Sequence, residues 1–391
     1  MNMVLNDVCE VYSGYALKSF NEVKEGFPVI KIGNILTDGR LSLEDCQYTT
    51  ETVNTKYYSQ KDDVYVALSG ATTGKIGLME TDESYVINQR VGVVRRKDKK
   101  IPSRFIKYFL LKQTERILQE AAGCAQPNIS PKQIGAYTFP SFSSEKMEEI
   151  TRELDKVTNV IQYRYKQNNL LDCLIKARFV EMFGDPIDNF QKWPVKKLKD
   201  ISSLITNGNT PKGGSSNYVN EGIIFIRSQN VWRNRIDLSD VVYIDESTHN
   251  GMSKSSVHHN DILITKTGRI NTENSSLGRA ALYQGDDNTA NINGHVYLVR
   301  LKDCVNPQFV VTILTSEAYR KYIRKVCVGG IDKRQINLDQ VENFPIIQPP
   351  LADQIMFASL LKQIDKSKVA IQKSLAETQL LFDKLMQDYF G

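Results

Sequence analysis

The chain has 391 residues, 41% of them hydrophobic and 24% charged, with a formal net charge of +5 at pH 7. That length leaves room for two or three domains, each burying its own core. No apolar run approaches the ~18 residues that span a bilayer, no basic-then-apolar leader opens the sequence, and the six cysteines (Cys9, Cys46, Cys124, Cys173, Cys304, Cys327) are scattered without a CxxC pair. The expectation is a cytoplasmic protein with reduced thiols and no membrane contact.

In chain order, segment 29–41 (VIKIGNILTDGRL) reads as an alternating strand that enters a turn at Asn34. Segment 61–80 (KDDVYVALSGATTGKIGLME) gives an acidic turn at Asp63, a short apolar strand, a Ser/Thr-Gly loop and a second strand. Segment 85–98 (YVINQRVGVVRRKD) is a strand carrying Asn88 and Arg95, and one short helix follows in RFIKYFLLKQTERILQEA. A turn segment, 126–140 (QPNISPKQIGAYTFP), closes this part. From 143 to 184 the pattern turns helical. Steps of four and three residues pass through Ile150, Leu154, Val157, Ile161, Arg164, Asn168, Leu171, Ile175, Arg178 and Met182. This is a heptad seam with polar interruptions.

The chain then repeats itself. Segment 224–238 (IFIRSQNVWRNRIDL) lies on the first strand and turn, with Asn230 on Asn34. Segment 259–283 puts Asp261 on Asp63, and 290–303 puts Asn293 on Asn88, Val296 on Val91 and Arg300 on Arg95. A short helix in PQFVVTILTSEAYRKYIRK follows, and then 331–345, with Gln340 on Gln133. Segment 350–391 matches 143–184 without a gap at an offset of 207 (361 − 154 = 207): Leu361 on Leu154, Ile364 on Val157, Phe390 on Phe183. Its seam runs through Phe357, Leu361, Ile364, Lys368, Ile371, Leu375, Thr378, Phe382, Leu385 and Tyr389. The offset drifts from 196 at Asn34 (230 − 34) to 207 at the helices, so the insertions fall in loops. Duplication followed by divergence accounts for this order.

The expected fold is α+β: two pseudo-repeated β-rich domains joined by two long antiparallel α-helices that form a coiled-coil-like rod. The expected boundaries are 1–142 and 185–349 for the domains, 143–184 and 350–391 for the helical arms. A long helix with an exposed apolar stripe needs a partner; the alternative is two independent helices, each packed on its own domain. Seam residues for helix pairing are Leu154, Val157, Ile161, Leu171, Ile175, Leu361, Ile364, Ile371, Leu375 and Phe382. Both arms are neutral, with seven basic and seven acidic residues in 143–184 and five of each in 350–391, so the excess charge sits on the domains. That permits, without requiring, an anionic partner there.

Catalytic readings fail. GATTGK (70–75) has three residues between its glycines and Ile76 after the lysine, which a phosphate loop does not tolerate. No adenine-methyltransferase tetrapeptide or Gly-rich cofactor turn occurs. Asp7, Glu22 and Lys24 make only a chance nuclease set. His249, His258, His259 and His295 lack partner cysteines at metal spacing. A non-catalytic binding module, without bound metal or cofactor, is expected.

The chain resembles the specificity subunits of type I restriction–modification systems. The residues that carry the resemblance are KDDVYVALSGATTGKIG and HNDILITKTG…LGRAALY, the strands INQRVGVV and INGHVYLV, the NIS and INL turns ahead of an apolar-Pro pair, and arms ending MFG and YFG. The resemblance implies that each domain is a target recognition domain reading one half of a split double-stranded DNA site. The arms would set the spacer and dock methyltransferase subunits, two of them, that methylate adenine and hold S-adenosylmethionine. A restriction/motor nuclease subunit would join through that core. A related system with methyltransferase and nuclease fused in one partner chain is an alternative, as is a two-headed structural adaptor with no DNA role.

Arg and Lys suit phosphates and guanine edges; Asn and Gln suit adenine edges. DNA-binding candidates in the first domain are Lys31, Asn34, Thr72, Thr73, Lys75, Asn88, Gln89 and Arg90. In the second they are Lys212, in the Gly/Ser-rich loop 206–218, then Arg227, Gln229, Asn230, Arg233, Arg235, Lys266, Arg269, Asn293, His295, Lys333 and Arg334. Asn34, Asn88, Asn230 and Asn293 recur in both copies, which points to turn geometry rather than base reading.

Overall fold

The computed structural model describes residues 2–122, 127–211, 213–272 and 274–391. The chain divides into two compact units, Met1–Gln167 with Ala370–Gly391, and Asn168–Val369.

The first unit is built on four antiparallel strands in the order Cys9–Ser13, Val91–Arg96, Val64–Ala67, Ile76–Leu78. The central strand reads VYVA and is buried along its whole length, as β-branched and aromatic residues at the middle of a covered sheet should be. Successive side chains face opposite ways. Val64, Val66 and Val94 meet Phe105, Ile106, Phe109 and Ile117 on one side; Tyr65, Ala67 and Val93 meet Ile30, Ile35 and Ile87 on the other. A second sheet places Phe27–Ile30 between Gln47–Thr49, antiparallel, and Val86–Ile87, parallel. Asn2–Val4 pairs with Thr138–Pro140.

The second unit has the same three pieces. Its four-stranded sheet runs Ser202–Asn207, Val296–Leu301, Ile262–Thr265, Ala280–Leu282. Ile223–Ile226 lies between Val242–Ile244, antiparallel, and Ala290–Ile292, parallel. Val195–Lys197 pairs with Pro345–Ile347. Two further sheets are reduced to single bridges among the described residues of the first unit: Thr267–Arg269 and Val328–Gly329 flanking Lys333–Gln335, against the bridge Ser69–Asn128, and Val231–Trp232 with Arg235–Ile236, against the bridge Ile35–Leu41.

Two sequence expectations need correction. Each single short helix is in fact two, Ser103–Lys112 then Thr114–Ala121, and Pro307–Thr315 then Glu317–Val326. The second break has a local cause: Ser316 adopts an extended backbone and its hydroxyl caps the Tyr319 amide.

The long helices are Ser144–Phe183 and Leu351–Phe390, 40 residues each. In the first unit, Ile150 and Leu154 from the start of one share a core with Met386 and Phe390 from the end of the other. The Phe390 ring lies 5.1 Å from that of Phe105, and Tyr389 donates a hydrogen bond to Glu153. In the second unit, Phe357 and Leu361 share a core with Phe179 and Phe183, Phe183 lies 4.9 Å from Phe309, and Lys368 pairs with Asp172. Within each unit the two helix segments therefore run in opposite directions. The pairs aligned in sequence, Leu154 with Leu361 and Phe183 with Phe390, do the same work in their own units. Val157, Ile161, Leu171, Ile175, Ile371, Leu375 and Phe382 are half-buried, and Leu154, Leu361 and Ile364 buried. No helix among the described residues is long and apolar enough to cross a membrane.

Candidate nucleic-acid interface

The repeated asparagines hold backbone. Asn34 Oδ1 accepts from the Lys31 amide at 2.8 Å and its Nδ2 donates to the Ser42 carbonyl at 2.9 Å. Asn230 Oδ1 accepts from the Arg227 amide at 2.9 Å, and its Nδ2 donates to the carbonyls of Asp237 and Asp240 at 3.0 and 2.8 Å. Asn88 Oδ1 takes the Arg90 amide at 3.2 Å, and Asn293 Oδ1 the His295 amide at 3.0 Å. Asn88 and Asn293 thus make Asx turns, each bonding two residues on, while Asn34 and Asn230 reach back three residues to close the turn they end.

Each turn presents different residues in the two units. Asn88 supports exposed Gln89 and Arg90; Asn293 supports Gly294 and exposed His295. The frame beneath is the same. Leu68 donates its amide to the Arg90 carbonyl at 2.9 Å, and Lys266 donates to His295 at 2.9 Å. The adjoining chain passes so close that a Cβ on Gly14 would stand 2.3 Å from the Ile87 oxygen, and one on Gly208 2.4 Å from the Ile292 oxygen. Only glycine fits at either place.

Other first-unit candidates are committed internally. Lys31 lies 3.4 Å above the Phe20 ring and donates to Gln47, and burial pulls its ammonium pKa down. Thr73 is buried, with its hydroxyl donated to the Gly70 carbonyl at 2.7 Å. Thr72 and Lys75 are half-buried beside it.

In the second unit, Arg227 and Gln229 both reach Asp240, at 3.3 and 2.6 Å. Exposed Arg233 and Arg235 sit on a tight hairpin in which Val231–Trp232 pairs with Arg235–Ile236. The Lys266 ammonium lies 5.6 Å from the Tyr297 ring. Its carbonyl accepts the Ile336 amide, which ties it to the strand carrying Lys333 and Arg334. Arg269 and Lys333 are paired across the additional sheet. Lys212 lies outside the described residues.

Arg279 was not among the residues nominated from sequence. It is buried, its Nε donates to the Ser275 carbonyl at 3.1 Å, and its guanidinium lies 4.0 Å from the Trp232 ring, whose other near neighbour is Arg235 at 5.4 Å. Burial, and then the charge of Arg233, lower its pKa. A signal existed. The Arg279 carbonyl accepts the Thr265 amide as that of Lys75 accepts Ala67, and both follow a left-handed glycine, Gly278 at φ 66° and Gly74 at φ 84°. Gly-Arg is thus the counterpart of the nominated Gly-Lys. Among the described residues no cluster of His, Cys, Asp and Glu suits a metal.

Comparison with known proteins fits this architecture. A family model described as the type I restriction modification DNA specificity domain matches residues 1–172 and 191–379. A putative type I restriction enzyme MjaX specificity subunit of Methanocaldococcus jannaschii is 25% identical over 47% of this chain, a match spanning 42% of that relative's length. The type I restriction enzyme EcoBI specificity subunit of Escherichia coli is 20% identical over 99% of this chain and 84% of its own. A crystal structure of a type I restriction–modification S subunit from M. genitalium superposes with a TM-score of 0.58 at 15% identity, covering 100% of this chain and 96% of that one. The likeness in structure extends to the fold alone.

Proposed function

The chain belongs to the family of type I restriction modification DNA specificity domains, a recognition component and not a catalytic one, and on that premise we propose that it reads a bipartite double-stranded DNA site, one half per β-rich domain. The domains are 1–142 and 185–349. The observation that carries this reading is the repeated frame with unlike tips. Asn88 and Asn293 make the same turn, yet one offers Gln89 and Arg90 and the other Gly294 and His295. A duplicated scaffold that varies at its exposed polar tips is suited to reading two different short sequences. Within this proposal Gln89, Arg90, Arg233, Arg235, Lys266, Arg269, His295, Lys333 and Arg334 face DNA, while the four asparagines, Thr73 and Lys31 shape the surface.

The arms, 143–184 and 350–391, pair through their seams as a coiled-coil-like rod that sets the spacer, and dock two methyltransferase subunits that methylate adenine. The restriction/motor nuclease joins through these. Docking is supported by apolar side chains left exposed off the seam, among them Tyr163, Leu170, Leu174, Val369 and Leu380. Exposed apolar residues recurring along one element mark an interaction surface.

The test is methylation sequencing of DNA from cells carrying this gene and its neighbours, against the same cells lacking it. A split motif with a fixed spacer, losing adenine methylation on deletion, is the expected result. Expressed partner genes with no gene-dependent motif would refute the reading.

A further inference from the structure

The additional sheet of the second unit gathers cations in a way that its own stability does not explain. The register of Thr267–Arg269 on Lys333–Gln335 sets Arg269 directly opposite Lys333, with Arg334 opposite Gly268. Like charges facing each other across a strand pair destabilise it. Asp332 lies 3.3 Å from Arg269, but both side chains are more than half exposed, and such pairs contribute little.

Beside this pair is an open cavity of about 470 Å³. Its wall includes Arg269, Lys333, Thr267, Ser276 and Arg279, and no carboxylate lines it among the described residues. Arg279 is 8% exposed. The carbonyls of Ser275 and Asn274 take its Nε and Nη2 at 3.1 and 2.5 Å, and the Trp232 face covers its plane at 4.0 Å. These contacts fix the guanidinium, and Nη1 makes neither bond. Among the described residues, a buried arginine held by neutral groups beside two opposed cations, with exposed Asp332 the carboxylate paired to one of them, concentrates positive charge on this wall.

We propose that this depression seats a backbone phosphate of double-stranded DNA, as a sequence-independent anchor. The proposal rests on the DNA-recognition reading above and adds which contacts are non-specific. A phosphate fits better than a base edge. Hydroxyl, guanidinium and ammonium groups all donate to phosphate oxygens, and phosphates project from the duplex into a recess. Base edges lie on the floor of a groove and must be reached by a protruding group. The Arg90 and His295 tips are of the protruding kind.

The test is fluorescence anisotropy of the full chain on two unrelated duplexes, between about 50 and 200 mM salt, where counterion release gives a slope of ~0.9 per phosphate contact. The variant is Arg269→Gln with Lys333→Gln, both exposed positions that leave the core intact. The expected result is a slope smaller by about 1, by the same amount on both duplexes, with no fall in melting temperature because a like-charge opposition has been removed. An unchanged slope with binding retained overturns the anchor alone. Loss on one duplex only also overturns it, and makes these residues base readers. A wild-type chain that binds neither duplex at any salt overturns the DNA reading and the anchor together.

Discussion

Asp63 and Arg95 form a two-pronged ion pair, Nε to Oδ1 and Nη2 to Oδ2, both at 2.7 Å, with Asp63 1% exposed. Asp261 and Arg300 repeat it at 2.9 and 2.7 Å. Each aspartate also accepts an amide three residues before it, from Gln60 and His258. The pair ties the turn before the central strand to the neighbouring strand, and so fixes the sheet that carries the Asn88 or Asn293 turn.

Burial pushes the Asp63 carboxyl up, while the Arg95 fork and the Gln60 amide pull it down. Removing one partner leaves a buried charge with no counter-ion, at a cost of about 3–5 kcal/mol. Arg95→Met should therefore lower the urea midpoint sharply, and Asp63→Leu combined with Arg95→Met should recover most of the loss. Arg95→Met at wild-type stability would show that the pair carries no weight.

Gly14→Ala and Gly208→Ala should each cost roughly 1–3 kcal/mol, the range for overpacking a filled site. The added methyl meets a backbone carbonyl in both cases, and backbone cannot turn aside as a side chain does. Thermal melts of the two variants test this; a neutral outcome at either position would mean that the close approach relaxes freely.

Much of this arrangement is legible in sequence because the chain is duplicated. Alignment alone pairs Asp63 with Asp261, Arg95 with Arg300 and Gln133 with Gln340. The glutamines turn out to cap the amides of Ser130 and Asn337 at 3.0 and 2.7 Å. What alignment cannot supply is which matched residues touch each other. Asp63 and Arg95 are 32 residues apart and meet only through strand register. The additional sheet is invisible for another reason. Its strands are two or three residues long, too short for an alternating pattern to register, and among the described residues the first copy keeps only the bridge Ser69–Asn128 in its place. Arg279 escaped because a buried arginine between glycine and alanine reads as a strand edge.

Arg90→Ala should weaken recognition of one half-site by about 1–3 kcal/mol and relax its sequence, leaving the other half unchanged. His295→Ala should do the converse. Binding to duplexes altered in one half at a time separates the two. Equal loss on every sequence from either change would place that tip on phosphate instead of bases.

Leu361 is 5% exposed within the core that holds Phe183 and Phe357. Leu361→Asp puts an unpaired carboxylate there, costing several kcal/mol. The expected outcome is loss of folding in the second unit, or loss of partner assembly if the fold survives. Circular dichroism and size-exclusion chromatography with the proposed methyltransferase partner distinguish the two, and a folded, assembling variant would remove Leu361 from the seam.

The spacer role of the arms is tested by length. Deleting 164–167 from the first helix alone removes about 6 Å at ~1.5 Å per residue and rotates the following seam out of phase, because four residues are not a heptad. Assembly should fail, or the spacer in the methylated motif should change. Deleting seven residues from both helices keeps the phase of each seam and removes ~10 Å, close to three base steps at ~3.4 Å each. An active enzyme with a spacer shortened by about three base pairs is the expected product of that second deletion. Full activity with an unchanged spacer after either deletion would mean that the arms only dock the partner and that the separation of the half-sites is set elsewhere.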